Sequence, residues 1–168
     1  MVNFVPTMQY LLSLGSNMGK RKQNLSEALL RIGYRCGCVL KSSGVYQTPP
    51  WGFLAEMPFY NQVLLLEAEL EPHKLLGELL AIEIELGRKR VEGERYASRT
   101  IDIDILMAGD TIIETESLQL PHPRFHERAF VLIPASEIVA DWRHPLKGAT
   151  IGELAGLQSV PSDMIRLQ

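Results

Sequence analysis

From Met8 to Leu14 the chain reads M-Q-Y-L-L-S-L, an apolar run that predicts a strand, and Gly15-Ser16-Asn17 supplies a turn with a capping residue. Leu25, Ala28, Leu29 and Ile32 then recur at helical spacing, which predicts a helix near residues 22–34 with one buried face. Val39 to Gln47 reads as a second strand. In T-P-P-W-G-F-L-A-E-M-P, the prolines Pro49, Pro50 and Pro58 restrict φ and remove donors, so a loop follows. A strand resumes from Asn61 to Leu70. Glu71-Pro72 opens the clearest helix, because proline is tolerated in a first helical turn; Leu75, Leu76, Leu79, Leu80 and Ile82 run along it and Gly87 stops it.

The polar segment R-K-R-V-E-G-E-R-Y-A-S-R reads as a mobile loop that leads into S-R-T-I-D-I-D-I-L, Ser98 to Leu106, whose alternation is that of a strand. Gly109-Asp110 predicts a tight turn into a short hairpin partner, Thr111 to Ile113. Ala129 to Ile138 fits a strand or a short helix, with helix preferred. The order β-α-β-β-α-β predicts an α+β, ferredoxin-like fold with helices on one face of a largely antiparallel sheet. Without repeats, low-complexity tracts or linkers, residues 1–168 are expected to form a single domain.

Composition narrows the class. With 46% hydrophobic residues the chain can bury a substantial core. A net charge of −3 gives no broad basic field, so nucleic acid is not an expected partner. No basic amino-terminal region precedes an apolar run, and no apolar stretch is long enough to span a bilayer, so neither export nor a membrane is expected. Cys36 and Cys38, separated by a single glycine, match neither a redox C-x-x-C nor a structural zinc site; reduced thiols and a cytoplasmic location are the expectation. A monomer is expected as well.

The aspartates of I-D-I-D-I are the first candidate chemistry. Asp102 and Asp104 share a strand face about 7 Å apart, where two such charges repel by roughly 2 kcal/mol at an effective dielectric near 20. They fit either a solvated edge that deters aggregation or a pair that holds divalent cations. Few hard oxygen ligands suit Mg²⁺, which takes its remaining ligands from water and phosphates.

Arg88, Lys89, Arg90, Arg95 and Arg99 lie in the loop that feeds this strand, interspersed with Glu92 and Glu94. Taken alone they fit a solvated surface. Beside a metal-type pair, arginine forks fit a polyphosphate. In P-H-P-R-F-H-E-R-A-F, two histidines and two arginines between residues 122 and 128 form a second candidate phosphate-facing segment. G-S-N-M-G-K-R imitates a P-loop but has one intervening residue too few and Arg21 where a hydroxyl belongs. A Gly-Ser turn with a D-x-D strand also matches the nucleotidyltransferase pattern, although Ser16 and Asp104 lie too far apart in the chain. A metal-dependent nucleotidyltransferase, a phosphoesterase and a non-catalytic binding module remain the alternatives.

Six motifs occur in one order: Y-L-L-S-L-G-S-N, Y-Q-T-P-P-W-G, F-Y-N-Q-V, E-L-G-R-K-R, S-R-T-I-D-I-D-I-L and L-P-H-P-R-F-H-E-R-A-F-V-L. Over residues 9 to 155 the chain thereby resembles the 6-hydroxymethyl-7,8-dihydropterin pyrophosphokinases of folate biosynthesis. The resemblance implies transfer of the β,γ-pyrophosphoryl group of ATP to the pterin hydroxymethyl oxygen, with release of AMP. It implies two Mg²⁺ ions on Asp102 and Asp104, ATP as co-substrate, and a metal site that stays strongly anionic until MgATP arrives.

Carried over motif by motif, Arg88 and Arg99 resemble the catalytic phosphate clamps, with Arg90 and Arg95 between them. Glu83, His122 and Arg128 resemble ATP-side residues. Phe59 and Phe130 resemble the aromatic pair that sandwiches the pterin, Asn61 the amide that reads its edge, and Thr48, Pro49 and Trp51 further pterin contacts. Tyr96 stands where the family often carries tryptophan. No residue stands out as a general base, and the implied mechanism is positioning with electrostatics.

Overall fold

Strand β1 (Met8–Ser16) is an interior strand of the sheet, and its last seven residues are all buried. The computed structural model describes residues 6–50, 55–89 and 98–168. β1 leads into α1 (Arg21–Arg35), then β2 (Cys38–Ser42), β3 (Tyr46–Thr48), β4 (Phe59–Ala68) and α2 (Pro72–Glu85). After β5 (Asp102–Ala108) come β6 (Ile113–Glu114), β7 (Gln119–Leu120), a 3-10 turn at Phe125–Glu127, α3 (Ala129–Val139), α4 (Ile151–Gly156) and β8 (Ile165–Arg166). The main sheet has the order β5-β1-β4-β3-β8, with β2 also on β4, and every pairing is antiparallel. This is the expected α+β, ferredoxin-like arrangement.

The expectation of helices on one face needs correction. Tyr10, Leu12 and Leu14 pack with Leu25 and Ile32 of α1 and Leu75 and Leu79 of α2. Leu11, Val63 and Leu65 point the other way and pack against Val131, Leu132 and Ala135 of α3 and Ile151 of α4. β1 is apolar on both faces, so both need cover. The segment A-F-V-L-I-P-A-S-E-I-V provides the second cover, as a helix apolar on most sides.

Three further expectations shift. The predicted strand from Val39 to Gln47 is two strands, β2 and β3, each paired to β4. It breaks at Ser43-Gly44, where a Cβ on Gly44 would lie 2.6 Å from Arg166 Nε. β5 begins at Asp102 rather than Ser98, because residues 98–100 engage the asparagine side chains described below. The hairpin partner predicted for β5 pairs instead with β7, as Ile113 opposite Leu120. Thr111 N–H closes the turn onto Ala108 O at 2.9 Å, and the chain then leaves the main sheet.

Gly87 ends α2 as expected, with φ at 87°, a conformation that favours glycine. No helix among the described residues is long and apolar enough to cross a membrane.

Candidate active site

Strand register builds the site's floor. Asp102 lies opposite Gly15, and Gly15 opposite Asn61, so these three form one row across β5, β1 and β4. The adjoining row runs from Asp104 to Ser13 to Val63. Gly15, having no side chain, leaves a depression between an acidic and an amide neighbour; a Cβ there would lie 3.0 Å from Asn61 Oδ1 and 3.6 Å from Phe59 Cδ1. This floor faces α3, so the second helical layer forms the opposite wall through Arg128, Phe130 and Val131. The resulting cavity has a volume of about 390 Å³.

Asp102 is already paired. Its Oδ1 accepts from Arg88 Nη1 at 2.5 Å, and its Oδ2 lies 3.1 Å from Arg99 Nη1. Arg88 Nη1 also reaches Glu83 Oε1 at 2.6 Å, and the same carboxylate accepts from Ile103 N–H at 2.7 Å. Glu83 is 1% exposed, so α2 delivers a buried anion that ties Arg88 to the aspartate strand. The expected anionic site is therefore corrected at Asp102, where two guanidinium groups offset the charge. At Asp104 the expected conflict persists. Burial, and then the Asp102 charge, raise its carboxyl pKa, with Arg128 and Arg99 opposing.

The other predicted residues converge on the same cavity from separate segments. Thr48, Pro49, Phe59, Asn61, His122 and Phe130 all line it. Asn61 Nδ2 donates to Thr48 Oγ1 at 2.6 Å, which leaves Oδ1 as the acceptor beside Gly15. The Arg99 guanidinium carbon is 5.6 Å from the Phe59 ring centroid, and that of Arg128 is 5.9 Å from the Phe130 centroid. Burial and the neighbouring Arg128 push His122 down to about 4, so it is neutral at physiological pH. Its Nδ1 accepts from Arg124 N–H at 3.3 Å, which assigns the ring proton to Nε2. Trp51, Arg90, Arg95 and Tyr96 lie outside the described residues.

Sequence reading missed Ser13, Gly15, Leu76, Leu80 and Ser117, which also line the cavity. Gly15 was legible as a turn residue and as part of a failed P-loop, not as a floor. Leu76 and Leu80 carry the ordinary signal of a buried helix face. A second cleft of about 340 Å³ adjoins the first and shares Asp104, Ser117 and His122 with it.

The donor set suits a hard cation that brings its own ligands. Two carboxylates share a strand face at the cavity wall, and a divalent ion would relieve the strain on Asp104. Among the described residues, no group of three or more His, Cys, Asp or Glu side chains is placed to hold a metal unaided. The remaining ligands must then come from water and phosphate.

Comparison with known proteins gives a consistent set of relatives. The profile of the family 7,8-dihydro-6-hydroxymethylpterin-pyrophosphokinase (HPPK) matches residues 11–140. A 2-amino-4-hydroxy-6-hydroxymethyldihydropteridine pyrophosphokinase of Porphyromonas gingivalis is 46% identical over 136 residues, covering 80% of this chain and 92% of that one. The protein of the same name from Bacillus subtilis is 41% identical over 128 residues, covering 76% and 75%. Among solved structures, Plasmodium falciparum HPPK-DHPS A437G with SDX-DHP superposes with a TM-score of 0.76 at 15% identity, over 98% of this chain and 50% of that one. The fold is thus shared with half of a longer protein.

Proposed function

The chain belongs to the 7,8-dihydro-6-hydroxymethylpterin-pyrophosphokinase family, and we propose that its cavity holds ATP and 6-hydroxymethyl-7,8-dihydropterin together and that Mg²⁺ assists the transfer between them. Its reaction is pyrophosphoryl transfer to hydroxymethyldihydropterin, a step of folate synthesis. The nucleotidyltransferase and phosphoesterase readings of the aspartate pair are not favoured by that membership. Residues 1–168 act as one catalytic domain, in the cytoplasm.

The observation that carries the reading is the Asp102–Gly15–Asn61 row, which joins an acidic end to an amide end across a gap left open by glycine. The pterin lies at the amide end. Phe59 and Phe130 cover its two flat faces, and Asn61, oriented by Thr48, offers Oδ1 to a donor on the pterin edge. Its hydroxymethyl group is thereby directed toward the aspartates. The adjoining cleft beside Ser117 takes the rest of the nucleotide.

Asp102 and Asp104 would hold magnesium, which would supply positive charge against the phosphates. The pterin hydroxyl oxygen attacks the β-phosphorus as the bond from that phosphorus to the α,β-bridging oxygen breaks. The bridging oxygen leaves with AMP, and the hydroxyl proton is released. Arg88 and Arg99, at the acidic end, offset charge on the transferred group. Neutral His122 donates Nε2–H to a phosphate oxygen without adding a cation, and Arg128 supplies positive charge from the opposite wall. Arg90 and Arg95 contribute further phosphate contacts, and Trp51 covers the pterin.

Phosphorus NMR of the protein with MgATP and the pterin tests the reading. AMP and a pterin diphosphate ester should appear together and only when the pterin is present. ADP or free phosphate as the main product would overturn it.

A further inference from the structure

The failed P-loop leaves polar groups that the chemistry above does not use. Ser16 and Asn17 are 0% and 1% exposed where β1 ends. A helix cap is the simplest role for such an asparagine, but α1 has Lys20 at its cap position and no side-chain cap. The Asn17 side chain points elsewhere, across 82 residues of sequence.

Asn17 makes two hydrogen bonds to the Arg99 backbone and a third to the residue before it. Its backbone N–H donates to Arg99 O at 3.1 Å, and its Oδ1 accepts from Arg99 N–H at 2.7 Å. Its Nδ2 donates to Ser98 Oγ at 3.1 Å. Asn24 extends the clamp, with Nδ2 at 3.0 Å from Thr100 O and 3.1 Å from Ser16 Oγ. Three residues beyond Arg99, Asp102 begins β5. The chain is therefore tied down immediately before the strand that carries both aspartates, at a point where no sheet pairing holds it.

Resting on the transfer reaction proposed above, we infer that Asn17 is a positioning residue for Arg99. Arg99 meets Asp102 at 3.1 Å through Nη1, while its Nε has no hydrogen-bond partner among the described residues. A partly buried guanidinium whose buried Nε keeps a donor in hand can meet an incoming oxyanion, and its aim depends on the backbone from which it extends. Asparagine suits this duty because one planar amide carries the acceptor for Arg99 N–H and the donor for Ser98 Oγ. Aspartate preserves both contacts, since the Ser98 hydroxyl can turn to donate. Alanine preserves neither.

A double-mutant cycle separates positioning from a merely structural role. Turnover, pterin binding, binding of a non-hydrolysable MgATP analogue and urea unfolding are measured for wild type, Asn17→Ala, Asn17→Asp, Arg99→Ala and the Asn17→Ala/Arg99→Ala pair. A displacement of about 1 Å costs on the order of 100-fold, so Asn17→Ala should lower kcat by about 30- to 100-fold and leave pterin affinity within about threefold of wild type. Asn17→Asp should recover most of the loss. The double variant should be no slower than Arg99→Ala, because the two side chains act as one unit.

Analogue binding should follow the same pattern without any turnover: about tenfold weaker in Asn17→Ala, and no further change once Arg99 is gone. If Asn17→Ala does not fold, Asn17→Ser takes its place in the cycle. Wild-type kcat and analogue binding in Asn17→Ala, or losses that multiply in the double variant, would overturn the inference. A wild-type protein that releases no AMP would overturn the transfer reading alone, since analogue binding still tests the Asn17–Arg99 coupling.

Discussion

Arg88 and Asp102 are in contact at 2.5 Å, although they come from opposite ends of the segment that links α2 to β5. Through Glu83, at 2.6 Å from the same nitrogen, the contact also joins the helix to the strand. Substituting Arg88→Ala would take from buried Glu83 and from Asp102 the guanidinium that bridges them, and removing one partner of a buried pair costs about 3–5 kcal/mol. We expect a stability loss of that order together with a collapse of turnover. A Glu83→Gln/Arg88→Met pair should regain much of the stability in urea unfolding but none of the activity. A stable, fully active Arg88→Ala enzyme would show that the bridge does neither job.

Asp104 is held at a cost to the fold. Its carboxyl pKa is raised in the folded state, so the folded state binds its proton more tightly than the unfolded one does. Its stabilising contribution is present at low pH and is lost as pH rises through the folded value. Asp104→Asn should therefore be more stable than wild type at pH 8, by about 1 kcal/mol or more, and the difference should shrink on acidification. Pyrophosphoryl transfer should be abolished, with pterin affinity largely intact by calorimetry. Loss of stability at pH 8 would contradict the burial argument.

At Gly15 the prediction concerns space. A methyl group 3.0 Å from Asn61 Oδ1 is too close to leave the amide where it is. Gly15→Ala should weaken pterin binding by about tenfold or more while costing little stability, since the strand accepts alanine and the cavity stays open above it. Titration of pterin fluorescence would measure it, and unchanged affinity would place the pterin elsewhere.

Away from the site, His144 sets an acid limit. It is 2% exposed, stacks on Phe125 at 5.1 Å between centroids, and accepts from Leu146 and Lys147 N–H through Nδ1. Burial first, then His126 and Lys147, push it down to about 4. An ordinary histidine in the unfolded chain titrates near 6.5. Its contribution is thus complete above about pH 6.5 and is lost as pH falls toward about 4, on the order of 3 kcal/mol in all. His144→Asn, which keeps an acceptor but cannot take up the proton, should flatten the fall in unfolding midpoint between pH 7 and 5. Identical slopes would remove His144 from the account.

Much of this protein was legible before folding. Period-two alternation places Asp102 and Asp104 on one face, proline and glycine bracket α2, and six ordered motifs identify the family. These signals are local, or rest on residues whose identity alone is informative. Other features depend on which distant segments become neighbours. Within Val39 to Gln47 only the Ser43-Gly44 pair hints at a break, and nothing in the segment says that Arg166, from the far end of the chain, packs against Gly44. Asn17 looks like a cap or a phosphate loop until Arg99 arrives opposite it.

Gly15 becomes a floor only because antiparallel register sets it between Asp102 and Asn61, and that floor becomes a cavity only because α3 covers the second face of the sheet. Periodicity states which side chains share a face of one element. It carries no information about lateral order, register or the partner that covers the face, because those are decided by burying all the apolar surfaces at once, and only the folded chain solves that problem.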